Sequence, residues 1–361
     1  MLIHLIGGFL GGGKTTAIQQ ACKILSNQGQ RIGVITNDQG TQLVDTNFLK
    51  EATIPTEEVV GSCFCCNFPA FENHIMQMDE RNKPGILFAE SVGSCTDLIA
   101  TIIRPLQRFH PAKEVVLSVF ADAEVFPVLV AGSSLFKDSV NYIYKKQLEE
   151  ADLLVLSKCD RLSTPQRQKL EEVLMKHYPD KAVLFQNSYD DQHIQRWLQM
   201  ANEVPQSWRK ALDLDYDQYG AGEAELAWLN QSVSITHSSG QAAKAAKLLI
   251  DYLYQAITKK SLPIGHLKFL YQDGDMQEKI SFTSGSATGQ ESVSISEAHS
   301  SAVKLLINAR VQTSPEHLQK LVHDAIEQAE LMTDCCMSVL SQEAFIPGFP
   351  RPSYRILEEI T

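Results

Sequence analysis

Through the first two hundred residues, short apolar runs alternate with longer stretches whose apolar positions recur at helical spacing. The pattern predicts strands at Leu2–Ile6, Arg31–Thr36, Gly85–Glu90, Glu114–Ala121, Asp152–Ser157 and Ala182–Phe185. It predicts helices at Thr15–Asn27, Phe68–Glu80, Cys95–Phe109, Val140–Glu149, Pro165–Tyr178 and Asp191–Ala201. Strands separated by helices imply an α/β fold, a parallel sheet covered on both faces. Such sheets bind ligands beyond the carboxyl ends of their strands.

The pattern then changes. A stretch mixing Pro, Trp, Asp, Tyr and Gly reads as a linker. After it come a strand (Ala227–Thr236), a helix (Ala242–Thr258), and strands near His266–Tyr271, Lys279–Thr283, Ser292–Ile295 and Val303–Val311. A helix at Pro315–Leu331 closes the series, which reads as a smaller α+β module of ferredoxin-like type. The expected division is an α/β domain at 1–205, a linker at 206–224, the α+β domain at 225–332 and a tail at 333–361. The tail carries the proline-rich run Phe345–Tyr354, expected to lie extended over a surface.

Composition narrows the classes. With 361 residues, 44% hydrophobic and 21% charged, the chain is long enough for two proper cores. A net charge of −11 argues against a nucleic-acid partner, which needs a basic face. No apolar run approaches the roughly twenty residues of a membrane span. Eight cysteines without a secretory signal point to a reducing, cytoplasmic location and to thiols available for metal.

Directly behind the first strand stands Gly7-Gly8-Phe9-Leu10-Gly11-Gly12-Gly13-Lys14-Thr15-Thr16, which matches the P-loop pattern Gly-x-x-x-x-Gly-Lys-[Ser/Thr]. Its strand–loop–helix setting is the one in which such glycines turn backbone N–H groups onto a phosphate. Gly11, Gly12, Gly13, Lys14, Thr15 and Thr16 are therefore the candidate phosphate site. Lys14 would neutralise the β- and γ-phosphates and Thr15 would hold Mg²⁺.

Base choice comes from Ser157-Lys158-Cys159-Asp160 after an apolar strand, the arrangement by which GTPases read guanine. A carboxylate at Asp160 accepts two hydrogen bonds from guanine and finds no such pair on adenine, so GTP is favoured. The stem of Lys158 would lie along base and ribose. Glu90, ending a strand, is the expected second Mg²⁺ partner. Asn37-Asp38-Gln39-Gly40, with Asp45 beyond, sits where a switch segment would sense the γ-phosphate. No arginine finger or water-positioning Gln is assigned, so intrinsic turnover should fall below about one per second.

Gly61-Ser62-Cys63-Phe64-Cys65-Cys66-Asn67 places three thiols within four residues. Cys63, Cys65 and Cys66 form a compact candidate set for a soft or borderline ion, against the alternatives of buried packing residues or a redox pair. Cys22, Cys95 and Cys159 stand alone in sequence and read as packing residues, and Cys335-Cys336 is a weaker candidate thiol pair.

Taken together, the P-loop, Gly-x-Cys-x-Cys-Cys, Glu-x-x-Gly and Ser-Lys-x-Asp resemble the CobW-type GTPases, relatives of the nickel-insertion GTPases of hydrogenase and urease maturation. The resemblance covers about the first 200 residues, and the α+β module more loosely. It implies a P-loop NTPase sheet and a GTP-driven metallochaperone carrying Zn²⁺, Co²⁺ or a related ion to a client metalloprotein or a cobalamin-pathway protein. It also implies metal thiols at Cys63, Cys65 and Cys66 and a switch acid at Asp38. The chain departs from the family's Asn-Glu-Phe-Gly switch and lacks a His-rich stretch, its ten histidines being scattered. His266 resembles a recurring strand histidine of the second domain, and reads equally as an ordinary paired strand residue. Two functions stand: GTP hydrolysis gating a thiolate metal site, or a GTP switch that activates a partner enzyme (for instance a corrinoid-dependent one) with structural cysteines.

Overall fold

The structure is a computed structural model that describes residues 1–38, 54–132, 135–205, 209–284 and 300–358. These group into two compact units. The first takes the described residues up to Gly222 together with those from Phe349 onward, and the second takes those within Glu223–Gly348.

The first unit is built on a seven-stranded parallel sheet. Its strands are β1 (Leu2–Gly7), β2 (Ile32–Asp38), β3 (Thr56–Val60), β4 (Ile86–Glu90), β5 (Glu114–Asp122), β6 (Leu153–Ser157) and β7 (Ala182–Gln186), in the order β3-β2-β4-β1-β5-β6-β7. Side chains alternate between faces. Ile6, Phe88, Phe120 and Val155 pack with helix Lys14–Asn27 and with Trp197 of helix Asp191–Glu203. On the opposite face, Met78 of helix Phe68–Asn82 lies over Gly33 and Leu87. With both faces covered, the strands are almost continuously apolar, which is why periodicity located them.

Three features differ from expectation. β3, Thr-Glu-Glu-Val-Val, was not anticipated, because an edge strand half open to solvent carries too little apolar signal. The helix expected over Cys95–Phe109 starts only at Ile99, with a π-turn to Ile103 and an α-helix from Arg104, because Asp97 adopts φ +64° and breaks the run. Residues 206–224, expected as linker, include helix Tyr216–Ala224. Its start is capped by Asp215, whose Oδ1 accepts the N–H of Asp217 at 2.9 Å and of Gln218 at 3.1 Å. Its Gly222 is a packing glycine: a Cβ there would meet the carbonyl of Ser139.

The second unit is a five-stranded antiparallel sheet. Its strands are β8 (Ala227–Thr236), β9 (Ile264–Asp273), β10 (Met276–Phe282), β11 (Ala302–Val311) and β12 (Cys336–Phe345), ordered β10-β9-β11-β8-β12. Helices Ala242–Lys259 and Pro315–Thr333 cover one face, packing on Leu229, Val233, Ile235, Phe269, Leu305 and Ile307. Leaving out β10, the order β9-β11-β8-β12 with these helices is the ferredoxin-like βαββαβ arrangement, and β10 is an added edge hairpin strand. Residues 333–361, expected as tail, thus include β12, an edge strand whose outward positions are exposed and whose apolar pattern is correspondingly broken. The strand expected at Ser292–Ile295 lies outside the described residues.

Candidate functional site

β1 ends in the glycine loop, where Gly8, Gly11 and Gly13 take φ of +116°, +74° and +83°. Only glycine is tolerated at Gly8, because a Cβ would land on the Phe120 carbonyl of β5. No side chain caps helix Lys14–Asn27, so its first N–H groups are left for an anion. Lys14 is buried, its Nζ donating to the carbonyls of Gly8 at 2.7 Å and Phe9 at 3.2 Å, so the ammonium lies inside the loop. Thr15 Oγ1 donates to Glu90 Oε1 at 3.0 Å, and both residues are buried. Thr16 is half-buried in the same first turn.

The Ser157–Asp160 segment meets this loop from β6. Ser157, at the end of β6, donates through Oγ to Gly12 O at 2.7 Å. Lys158 takes φ +58° and donates to Asp122 Oδ2 at 2.6 Å. Asp160 follows, exposed, in the 3-10 turn Cys159–Arg161. The partner role of Asp122 was not anticipated; its place as the last residue of β5, beside Ser157 in register, was the available signal.

The thiol loop follows β3 at the carboxyl edge of the sheet. Asn37, next to last in β2, holds it by three hydrogen bonds: Nδ2 donates to Val59 O at 2.9 Å and Ser62 O at 2.7 Å, and Oδ1 accepts Phe64 N–H at 2.8 Å. Phe64 anchors the loop by stacking on Phe71, with centroids 4.1 Å apart. The sulfurs of Cys63, Cys65 and Cys66 all lie within 4.8 Å of one another, with Cys63 and Cys65 at 3.0 Å. Cys63 and Cys65 are buried and Cys66 is half-buried. Hydrogen bonds from the neighbouring thiols, Cys65 first, hold Cys63 well below the usual thiol range. The same bond pushes Cys65 up, and its contact with Cys63 raises Cys66 to about 11. The three thiols are thus shifted in opposite directions by their mutual hydrogen bonds, and metal binding requires each ligating thiol to lose its proton.

Cys95 is buried in the turn after β4, and its thiol contributes to the downward shift of Cys63 and the upward shift of Cys65, while the group of mutually close sulfurs is Cys63, Cys65 and Cys66. By contrast, burial alone pushes Cys22 up to about 12, as befits a packing thiol. Cys335 is buried and Cys336 exposed, and among the described residues they join no metal-ligating group.

The chain's end also reaches this site. Arg351 N–H donates to Cys66 Sγ at 3.4 Å, and Ser353 donates through N to Cys65 O at 2.8 Å and through Oγ to Cys66 O at 3.0 Å. Tyr354 packs edge-on to Phe68, and Arg355 Nε donates to the buried Asp97 at 2.8 Å. Asp38 closes β2 opposite Val60, whereas Gln39, Gly40 and Asp45 lie outside the described residues. His266 is a buried strand residue of β9, opposite Arg310 of β11.

Residues 2–185 match the family described as CobW/HypB/UreG, nucleotide-binding domain. The chain is similar to the zinc chaperone YeiR of Escherichia coli (strain K12), 25% identical over 186 residues, which are 50% of this chain and 53% of that protein. It is similar to the zinc chaperone YjiA of the same organism, 31% identical over 99 residues, 27% of this chain and 30% of that protein. Among solved structures, HypB from Helicobacter pylori in complex with nickel aligns with 16% identity and a TM-score of 0.43, covering 58% of this chain and 91% of that one. The chain spans about half the length of YeiR and of the zinc chaperone CobW of Pseudomonas aeruginosa (strain ATCC 15692 / DSM 22644 / CIP 104116 / JCM 14847 / LMG 12228 / 1C / PRS 101 / PAO1). With glycine loop, strand-end acid and thiol loop on one sheet edge and the family's match running over residues 2–185, the chain belongs to the CobW/HypB/UreG family.

Proposed function

We propose that this chain is a Mg²⁺-dependent GTPase that carries a transition metal ion, Zn²⁺ or Co²⁺, on Cys63, Cys65 and Cys66. It delivers the ion to a client metalloprotein or a cobalamin-pathway protein when its nucleotide state changes. The observation that carries this reading is the Asn37 bridge from the end of β2 to the thiol loop. A displacement of the switch residues that follow Asn37, Asp38 foremost, is transmitted to the sulfurs through those three bonds.

Gly11, Gly12, Gly13 and Thr16 wrap the phosphates, and Lys14 supplies a fixed positive charge. Ser157, Lys158 and Asp160 read the base, Asp160 as the acceptor for guanine. Thr15 and Glu90 offer two buried hard oxygens 3.0 Å apart, a donor pair that fits Mg²⁺. Bound there, the ion would spread the charge of the β- and γ-phosphates.

GTP raises metal affinity by ordering the switch, and by linkage bound metal tightens GTP by the same factor. Uptake weakens as pH falls, because Cys65 and Cys66 must shed their protons to ligate. Competition titrations of Zn²⁺ and Co²⁺ against apo, GDP-bound and GTP-analogue-bound protein test the reading. The expected order has the GTP-analogue state tightest. Equal affinity in all three states, or full affinity in the Cys65→Ala, Cys66→Ala double variant, would leave a GTP switch for a partner enzyme with structural cysteines.

A further inference from the structure

Cys63 and Cys65 are buried and Cys66 is half-buried, so the cluster opens to solvent on the side of Cys66. Segment 351–356 crosses that side. Arg351 N–H donates to Cys66 Sγ at 3.4 Å, and Ser353 donates to Cys65 O at 2.8 Å and to Cys66 O at 3.0 Å. Three further anchors hold the segment down. Tyr354 packs edge-on against Phe68 and Phe109, with centroids 5.4 and 5.2 Å away. Arg355 Nε donates at 2.8 Å to Oδ2 of Asp97, a fully buried carboxylate that also accepts Tyr216 Oη at 2.9 Å. Ile356 pairs through both backbone groups, its N–H with Ala100 O at 2.9 Å and its carbonyl with Arg104 Nη1 at 2.9 Å. Arg351, Ser353, Tyr354 and Arg355 are nonetheless exposed. The segment therefore lies on the surface and can lift without opening the core.

We propose that segment 351–356 is a strap that gates the thiol cluster, docked while an ion is held and lifted for the ion to enter or leave. The gate rests on the metal-carrying reading above and adds the element that controls exchange. An N–H aimed at a sulfur is the kind of outer bond that holds a metal ligand in place, so the docked strap suits a bound ion. Phe349 and Pro350, just ahead of the strap, lie against Gly220 of helix Tyr216–Ala224 and keep it tethered beside the loop when it lifts. Its charged anchor, Asp97, stands on the turn after β4. That turn starts from Glu90, which accepts Thr15 Oγ1 at 3.0 Å, and at Gly93 a Cβ would come within 2.6 Å of Leu10 Cδ2. The glycine loop thus touches the turn at two points, and a change there reaches the strap through Asp97 and Arg355.

Alkylation of the reduced, metal-free full chain by iodoacetamide, followed at each cysteine by mass spectrometry, reads strap opening without any ion. Asp97→Asn with Arg355→Ala removes the charged anchor and leaves no buried charge unpaired. It should speed alkylation of Cys66 by about 10–100-fold, the effect of one lost charge-assisted hydrogen bond, and speed release of bound Zn²⁺ to a chelator similarly. Tyr354→Ala, at an exposed position, should act in the same direction, and exposed Cys336 should react at one rate throughout. In the wild type, loading with Zn²⁺ should slow hydrogen exchange at the Ser353 and Ile356 amides. Unchanged Cys66 alkylation or unchanged ion release in both variants would overturn the strap and leave the proposed carrier function standing. Equal amide exchange with and without Zn²⁺ would do the same, and needs no variant to fold. No ion uptake by the wild type in any nucleotide state would overturn the carrier reading and the gate with it.

Discussion

The side-chain oxygen of Asn37 accepts the backbone N–H of Phe64 at 2.8 Å, fastening the second strand of the sheet to the middle of the thiol loop. The same carboxamide donates to Val59 O and Ser62 O, so one buried side chain satisfies three backbone groups of the loop. Carboxamide chemistry is required: it alone among uncharged side chains offers an acceptor and two N–H donors in one plane.

Asn37→Ala should lower stability by about 2–4 kcal/mol, because buried backbone groups lose their partners. It should also abolish any dependence of metal affinity on nucleotide. Asn37→Asp keeps the acceptor for Phe64 and loses the donors, and is expected to fall between the two. Denaturant unfolding with metal titration in each nucleotide state measures both effects; wild-type linkage in Asn37→Ala would end the transmission argument.

Lys14→Ala removes the ammonium held inside the glycine loop. Phosphate release from GTP should drop by about 10²–10³-fold, the usual cost of one fixed charge or donor at a reacting anion. Turnover at the wild-type rate would discard the phosphate-site assignment.

Asp160→Asn should weaken GTP and favour xanthosine triphosphate, whose base presents an oxygen where guanine presents an amine. Asp160 is exposed, three residues after Ser157, whose hydroxyl donates to Gly12 O in the glycine loop. Nucleotide competition assays check it, and equal use of ATP and GTP by the wild type would contradict it.

His4 lies in the core, accepting or donating at 2.8 Å with Ser118 Oγ and sitting 4.8 Å from the Trp197 ring centroid. Burial pushes it down to about 3 from an ordinary 6.5. Between those values the unfolded chain holds a proton that the folded one refuses, so stability present above pH 6.5 is lost as pH falls toward 3. The loss should approach about 1.4 kcal/mol per pH unit. Denaturant midpoints at pH 7 and 5 for wild type and His4→Gln would show it; identical pH dependence in both would exclude His4 as the source.

Much of this was legible in the chain before folding. Strands buried on both faces are apolar along their whole length, so β1, β4, β5 and β6 announce themselves. The glycine loop, Ser157–Asp160 and Cys63–Cys66 are each contiguous, and a contiguous motif carries its chemistry in its own spacing. Edge strands do not: β3 is only partly buried at Thr56, Glu57 and Glu58, β12 is exposed at half its positions, and their pattern dissolves. Helix Tyr216–Ala224 was masked by glycines that serve close packing against Ser139 and Phe349. What only the tertiary structure decided is which distant segments meet at the carboxyl edge. Asn37 reaches the Val59–Phe64 turn, Thr15 meets Glu90, and Arg351 and Ser353 reach Cys66 from a segment far along the chain. Parallel strand order, not sequence distance, brings these residues together, because a crossover connection returns each strand's end to the same edge regardless of how much chain lies between.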